Sequence, residues 1–401
     1  MFAPTDTPAP SLPRILFVLA VTQTLGWGVL SLLPVIGRDL AGDLSMALPS
    51  IFLGTSVMYV VTALAAPMLG QALIRAGARS VMMAGFATGA GGLTVLALAT
   101  GPFGFFAGWL FLGLFSAASL TTSAYVYLNA VAGKRAKSMI GSLMLVTGLA
   151  SSIFWPLTAF LSAQIGWRAT VAIYAMSLVI VAVPLLQFGL PQAAAGTDAS
   201  ARAQADHQAR APGGAFGFIV AAIICNGFVT VGFEAVIIET LRAMGIGAAE
   251  AVAFGSVIGM LKVGGRLLDI AGGGRWDGLT TGVIAAIVMP LGIVLLLAGG
   301  GAYWSIGLFA LLFGLGSGAF AVARATMPLV FFDTSSYALA MARIALPLNL
   351  IYAAAPPLLS ALLTHGGSSA VLICALAFSL VALAFLAVLD RRRRLRNDEA
   401  M

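Results

Sequence analysis

Charge is scarce in this sequence: Asp, Glu, Lys and Arg make up 9% of 401 residues, against about 25% in a soluble domain that must wet its surface. That shortage excludes a water-soluble globular particle. Cysteine is nearly absent. Cys225 and Cys374 each lie inside an apolar run, so neither a disulfide framework nor a cysteine metal cluster is expected. The two histidines, His207 and His365, fall in a polar stretch and between two apolar runs, which argues against a metal site or a histidine-based hydrolase. The glycine runs Gly314 to Gly318 and Gly89 to Gly92 sit within apolar stretches with no strand before them. Close helix packing explains them better than a phosphate loop does. No enzyme activity and no cofactor are expected.

Hydrophobic residues, at 60%, dominate what is present. They form stretches longer than about 18 residues, the length a helix needs to cross a hydrocarbon core of roughly 30 Å. Turn residues and charges divide the chain into twelve such segments, near 15–37, 47–73, 79–99, 104–132, 138–164, 168–190, 216–241, 248–270, 279–299, 303–331, 338–363 and 368–389. Val371 to Leu389 shows no alternation of apolar and polar residues, which excludes a membrane strand barrel. Arg14 precedes a run that continues to Gly37 without a small-residue cleavage site, so the first segment reads as an uncleaved helix. The fold class is therefore all-α and membrane-integral. Pro191 to Gly214 has no apolar face and reads as a flexible linker between residues 1–190 and residues 215–401, each carrying six spans.

With both termini on the cytoplasmic side, fourteen Lys and Arg residues fall in inside loops and tails, while only Arg38, Arg168 and Arg242 fall outside. Because Lys and Arg resist translocation, this bias sets the orientation in a plasma membrane of bacterial inner-membrane type. The net charge of +7 thus needs no nucleic acid as partner, and Arg391 to Arg394 reads as a stop beside anionic lipid headgroups.

The halves repeat each other. Gly70-Gln-Ala-Leu-Ile74-Arg75-Ala-Gly77-Ala-Arg79 follows the second segment, and Gly265-Arg266-Leu-Leu-Asp269-Ile-Ala-Gly272 closes the eighth. Pro156 and Pro356 occupy matching places in the fifth and eleventh segments. Parallel repeats of this kind place a substrate site between the halves near the bilayer midplane. On these residues the chain, from about 14 to 390, resembles the major facilitator superfamily, whose loop motif Gly-x3-Asp-Arg-x-Gly-Arg is approximated twice. The resemblance implies two pseudo-symmetric six-helix bundles and alternating access. It also implies a cytoplasmic latch drawn from Arg75, Arg79 and Asp269, weakened in the first copy because Ile74 stands where the acid belongs. Gly148 to Pro156, Gly166-Trp167-Arg168 and Arg266 are similar to the monocarboxylate and oxalate–formate branch, although Lys262 stands where animal monocarboxylate carriers have an aspartate.

A charge at the bilayer centre costs about 2.5–3.5 kcal/mol on insertion scales, so intramembrane ions face a cavity or a partner. Apart from Arg14 at its edge, the first half places none deep in a span; the second holds Glu234, Glu239, Lys262, Arg266, Asp269, Arg324 and Arg343. Lys262 and Arg266, four apart, share a helix face and repel unless an anion or carboxylate sits between them. A transported carboxylate on Lys262, Arg266 and Arg324 is the economical reading, with Arg266 bonded to Asp269, or Arg324 bonded to Asp333 or Asp269, as the structural alternatives. Asn226, Tyr125 and Trp27 are candidate neutral contacts. Glu234 is the best-placed proton-coupling acid and Glu239 a lesser one, while Arg343 reads as a gate or interface residue.

The expected function is secondary active transport of small organic anions, monocarboxylate-like, by proton coupling or anion exchange. The expected working unit is a single copy in the lipid bilayer. Export of amphipathic drugs or metabolites is the alternative within transport. A non-transporting membrane receptor is the alternative from another class.

Overall fold

The structure is a computed structural model that describes residues 11–132, 135–191, 215–272, 277–331 and 334–398. The expected linker, apart from Pro191, lies outside these residues, as do His207, Arg275 and Asp333. Ten helices among the described residues are long and apolar enough to cross a membrane. Two of them each contain a glycine at positive φ, Gly166 at 80° and Gly367 at 73°, a conformation that L side chains rarely adopt. Each break divides a helical run of 52 residues, far longer than one crossing needs, into two spans, which makes twelve.

We number the spans α1 (Leu12–Asp43), α2 (Leu48–Ala76), α3 (Ala78–Ala97), α4 (Pro102–Ala132), α5 (136–165), α6 (166–189), α7 (Phe216–Ala243), α8 (Ala248–Ala271), α9 (Gly278–Gly299), α10 (Tyr303–Thr326), α11 (334–366) and α12 (367–398). The twelve spans form two pseudo-symmetric six-helix bundles, as expected. Helix is the dictated choice because lipid offers no partner for backbone N–H and C=O groups. Prolines stand in the first turns of α1, α2 and α4, where a missing N–H costs nothing. Large apolar side chains such as Phe103, at 90% exposure, cover the outside, where lipid is the natural neighbour.

Three spans of the first bundle are interrupted. α1 breaks at Ser31 and Leu32, α4 at Leu120 in extended backbone, and α5 at Gly148 and Leu149. Side chains take up the carbonyls near each break. Gln23 Nε2 donates to Ser119 O at 2.7 Å, Trp155 Nε1 donates to Ser31 O at 3.0 Å, and Arg266 Nη1 donates to Met144 O. Irregular backbone survives at membrane depth only where it is satisfied by protein or lines a cavity.

In the second bundle, α8 and α10 touch through glycines. A Cβ on Gly318 would lie 2.0 Å from Lys262 O, and one on Gly265 would lie 2.1 Å from Leu315 O. This seam, read from sequence as helix packing, brings the cations of α8 beside Arg324 of α10.

Candidate functional site

A central cavity of about 320 Å³ lies between the bundles, bounded by α1, α4 and α5 on one side and α7, α8 and α10 on the other. Trp27, Ser31, Thr121, Tyr125, Gly148, Glu234, Lys262, Arg266 and Arg324 are in its wall. A neighbouring chamber shares Glu234, Lys262, Arg266 and Arg324 and adds Asn226, Thr230, Ser317 and Tyr352. Lys262, Arg266, Arg324, Asn226, Tyr125, Trp27 and Glu234 border this space, whereas Glu239, the lesser proton candidate, does not. The three helix interruptions open on it too, through Ser31, Thr121 and Gly148.

α7 presents Glu234 through a widened turn, residues Phe228–Phe233, in which the backbone bonds skip one residue further than in an α-helix. Such turns re-aim the side chains that follow them. Glu234 Oε2 forms an ion pair with Lys262 Nζ, and both side chains are largely buried. The sequence offered Lys262 no acid one turn away on its own helix; the tertiary structure supplies one from α7. The carboxylate required beside the like-charged pair is thus partly present in the protein.

Arg266 and Arg324 are differently placed. Arg266 reaches across to Met144 O in α5, and its Nε is buried without a partner. Arg324 Nη1 donates to Tyr352 Oη. Among the described residues, neither guanidinium meets a carboxylate. Arg266 is not bonded to Asp269, whose carboxylate accepts from Thr281 Oγ1 of α9 at 2.5 Å. Gly148 makes room for Arg266: a Cβ there would stand 2.7 Å from Nη1. Asn226 is buried and donates weakly to Met289 Sδ at 3.4 Å.

The gating candidates are scattered. Arg75 and Arg343 are exposed, and Arg79 Nη2 donates to Gln187 O of α6 at 2.6 Å, a bond within the first bundle. Glu239 is 3% exposed and pairs with Arg38 of α1 and with Arg242, at 3.2 Å. It is a tie between bundles on the face opposite the chain termini. Further ties lie nearer the middle: Ser56 Oγ donates to Ala353 O, the Tyr59 and Tyr352 rings stand 5.4 Å apart, and Trp155 packs on Gly255. These contacts close the cavity toward the face opposite the termini. Tyr59, Tyr352 and the Met144 carbonyl escaped the sequence reading; the signal for the first two was a tyrosine in mid-span among only seven in the chain.

Twelve spans around a charged cavity that is closed toward one face are the build of a polytopic membrane transporter. Comparison with known proteins names the kind. A family model described as Major Facilitator Superfamily matches residues 15–318, and the chain belongs to that superfamily. No curated protein sequence matches it. Among solved structures it is similar to the human organic anion transporter MFSD10 (TETRAN), with TM-score 0.67 and 16% identity over 94% of this chain and 100% of that one. It is also similar to a bacterial homolog of the human lysosomal transporter Spinster, inward-facing and occupied, with TM-score 0.73 and 15% identity over 94% and 97%. A D-xylose–proton symporter gives TM-score 0.72 and 14% identity over 94% and 97%. At these identities the likeness establishes the fold.

Proposed function

We propose that this transporter is a secondary active carrier of small organic anions that works by alternating access around Arg266 and Arg324. One observation carries the reading: the cavity holds three cations and one acid. Lys262 is neutralised by Glu234, while the two arginines rest on a carbonyl and a hydroxyl. A planar guanidinium in a largely buried site calls for an oxyanion, and a carboxylate matches its fork. The likeness of Gly148 to Pro156 and of Arg266 to the monocarboxylate and oxalate–formate carriers supports the same class, as does an organic anion transporter among the structural relatives.

Coupling follows from the ion pair. Protonation of Glu234 releases Lys262, which then adds a third positive charge for the anion, so proton and anion favour each other's binding. If the pair stays intact throughout the cycle, the carrier exchanges anions without protons. A proton symporter of the same fold supports the first route.

Uptake of mono- and dicarboxylates into proteoliposomes, with and without an inward proton gradient, tests the reading. Wild type takes up at least one carboxylate, and Arg266→Gln and Arg324→Gln each cut uptake at least tenfold, the loss of about one charge-assisted bond pair. Undiminished uptake in both variants overturns the anion site. Gradient-independent uptake overturns the coupling role of Glu234.

A further inference from the structure

A separate recess opens from the central cavity toward the face opposite the termini. It holds about 180 Å³ and shares Trp27, Ser31 and Glu234 with the charged chamber. Its remaining wall is mostly apolar, with Phe52, Met58, Tyr59, Trp155 and Pro356 prominent. Several polar atoms around it are already bonded within the protein. Trp155 Nε1 donates to Ser31 O at 3.0 Å, Ser31 Oγ to Gly28 O at 2.7 Å, and Thr55 Oγ1 to Phe52 O at 2.7 Å. Glu234 is held by Lys262. An apolar guest entering this recess breaks none of these bonds.

Size narrows the guest. An apolar cavity of about 150 Å³ stays dry and accepts benzene, so this recess takes a phenyl ring or a branched chain of about six carbons. Its mouth adjoins the charged chamber, so one molecule spans both.

Resting on the anion reading above, we infer that the recess is a tail subsite and that the cargo is an amphipathic carboxylate. The head lies on Arg266 and Arg324; an aryl or branched-alkyl tail lies between Trp27, Tyr59 and Trp155. The smallest carboxylates fill only the head position and bind weakly. Bulky-tailed ones gain the burial of apolar surface against aromatic faces.

Competition for uptake along the series acetate, butanoate, hexanoate and phenylacetate reads this out on the wild-type protein. Apparent affinity rises about fourfold per added methylene, the equivalent of 0.8 kcal/mol, until the recess is full. Thr55→Phe, which fills the recess, raises the KM for hexanoate and phenylacetate more than the KM for acetate. In detergent, 4-nitrophenylacetate quenches tryptophan fluorescence saturably, phenylacetate reverses the quenching and acetate does so only at much higher concentration. If acetate is carried and affinity is flat along the series, the tail subsite is refuted and the anion carrier stands. If no carboxylate competes, both fall. The chain-length series alone decides the matter should Thr55→Phe fail to fold.

Discussion

Glu234 of α7 and Lys262 of α8 form an ion pair inside the central cavity, and that pair partitions the site's charge. It cancels one cation and leaves Arg266 and Arg324 without a carboxylate partner among the described residues.

Because both partners are largely buried, removing one strands the other. Glu234→Gln or Lys262→Gln alone is expected to destabilise the protein by up to about 3 kcal/mol, with the double variant closer to wild type. Thermal unfolding of the three purified variants measures this. Destabilisation in the double variant equal to the sum of the two single variants shows that the pair is not coupled.

Gly148→Ala places a methyl group 2.7 Å from Arg266 Nη1. Arg266 must move, and its bond to Met144 O is lost while the helices stay in place. Transport is expected to fall about tenfold, the equivalent of about 1.4 kcal/mol for a hydrogen bond to a charged group, with little change in melting temperature. Proteoliposome uptake beside a melting curve separates the two effects.

Tyr352→Phe removes the acceptor that holds Arg324. A hydrogen bond to a charged group is worth about 1.5–3 kcal/mol, so KM should rise about tenfold or more while the fold persists. A change confined to kcat contradicts a binding role for this pair.

Glu239 ties α7 to Arg38 of α1 on the face opposite the termini. Glu239→Gln weakens that closure and shifts the population toward opening there. A cysteine at position 55, in a background with Cys225 and Cys374 replaced by serine, should be labelled faster by an impermeant maleimide applied to that face. An unchanged labelling rate contradicts the closure.

Asp277 caps the start of α9, accepting from Thr280 N at 2.8 Å, and pairs with Arg393 of α12. Burial pushes its carboxyl up, but the Thr280 bonds and the Arg393 charge outweigh that and hold it below its ordinary value. A depressed carboxylate contributes stability above its ordinary pKa and loses it as pH falls through the lower, folded value. Asp277→Ala should cost about 1 kcal/mol at neutral pH, a typical helix-cap loss. The gap in melting temperature from wild type should shrink below about pH 4, where carboxylates protonate.

What the sequence determined by itself is what one helix can encode. Length and hydropathy define twelve spans, and glycine repeats define close helix contacts. The count of intramembrane charges, almost all in the second half, points to a charged site near Lys262 and Arg266. Partners were another matter. Lys262 finds Glu234 across 28 residues, Arg266 finds Met144 O across 122, and Arg38 finds Glu239 across 201. Each pairing depends on how far two helices are rotated and slid against each other, which no local pattern fixes. Tertiary structure also decided that Asp269 bonds Thr281 rather than Arg266, and that Glu239 ties the bundles together. The physical reason is common to all of these: a buried charge must be satisfied, but the sequence specifies only that need, and packing selects the group that meets it.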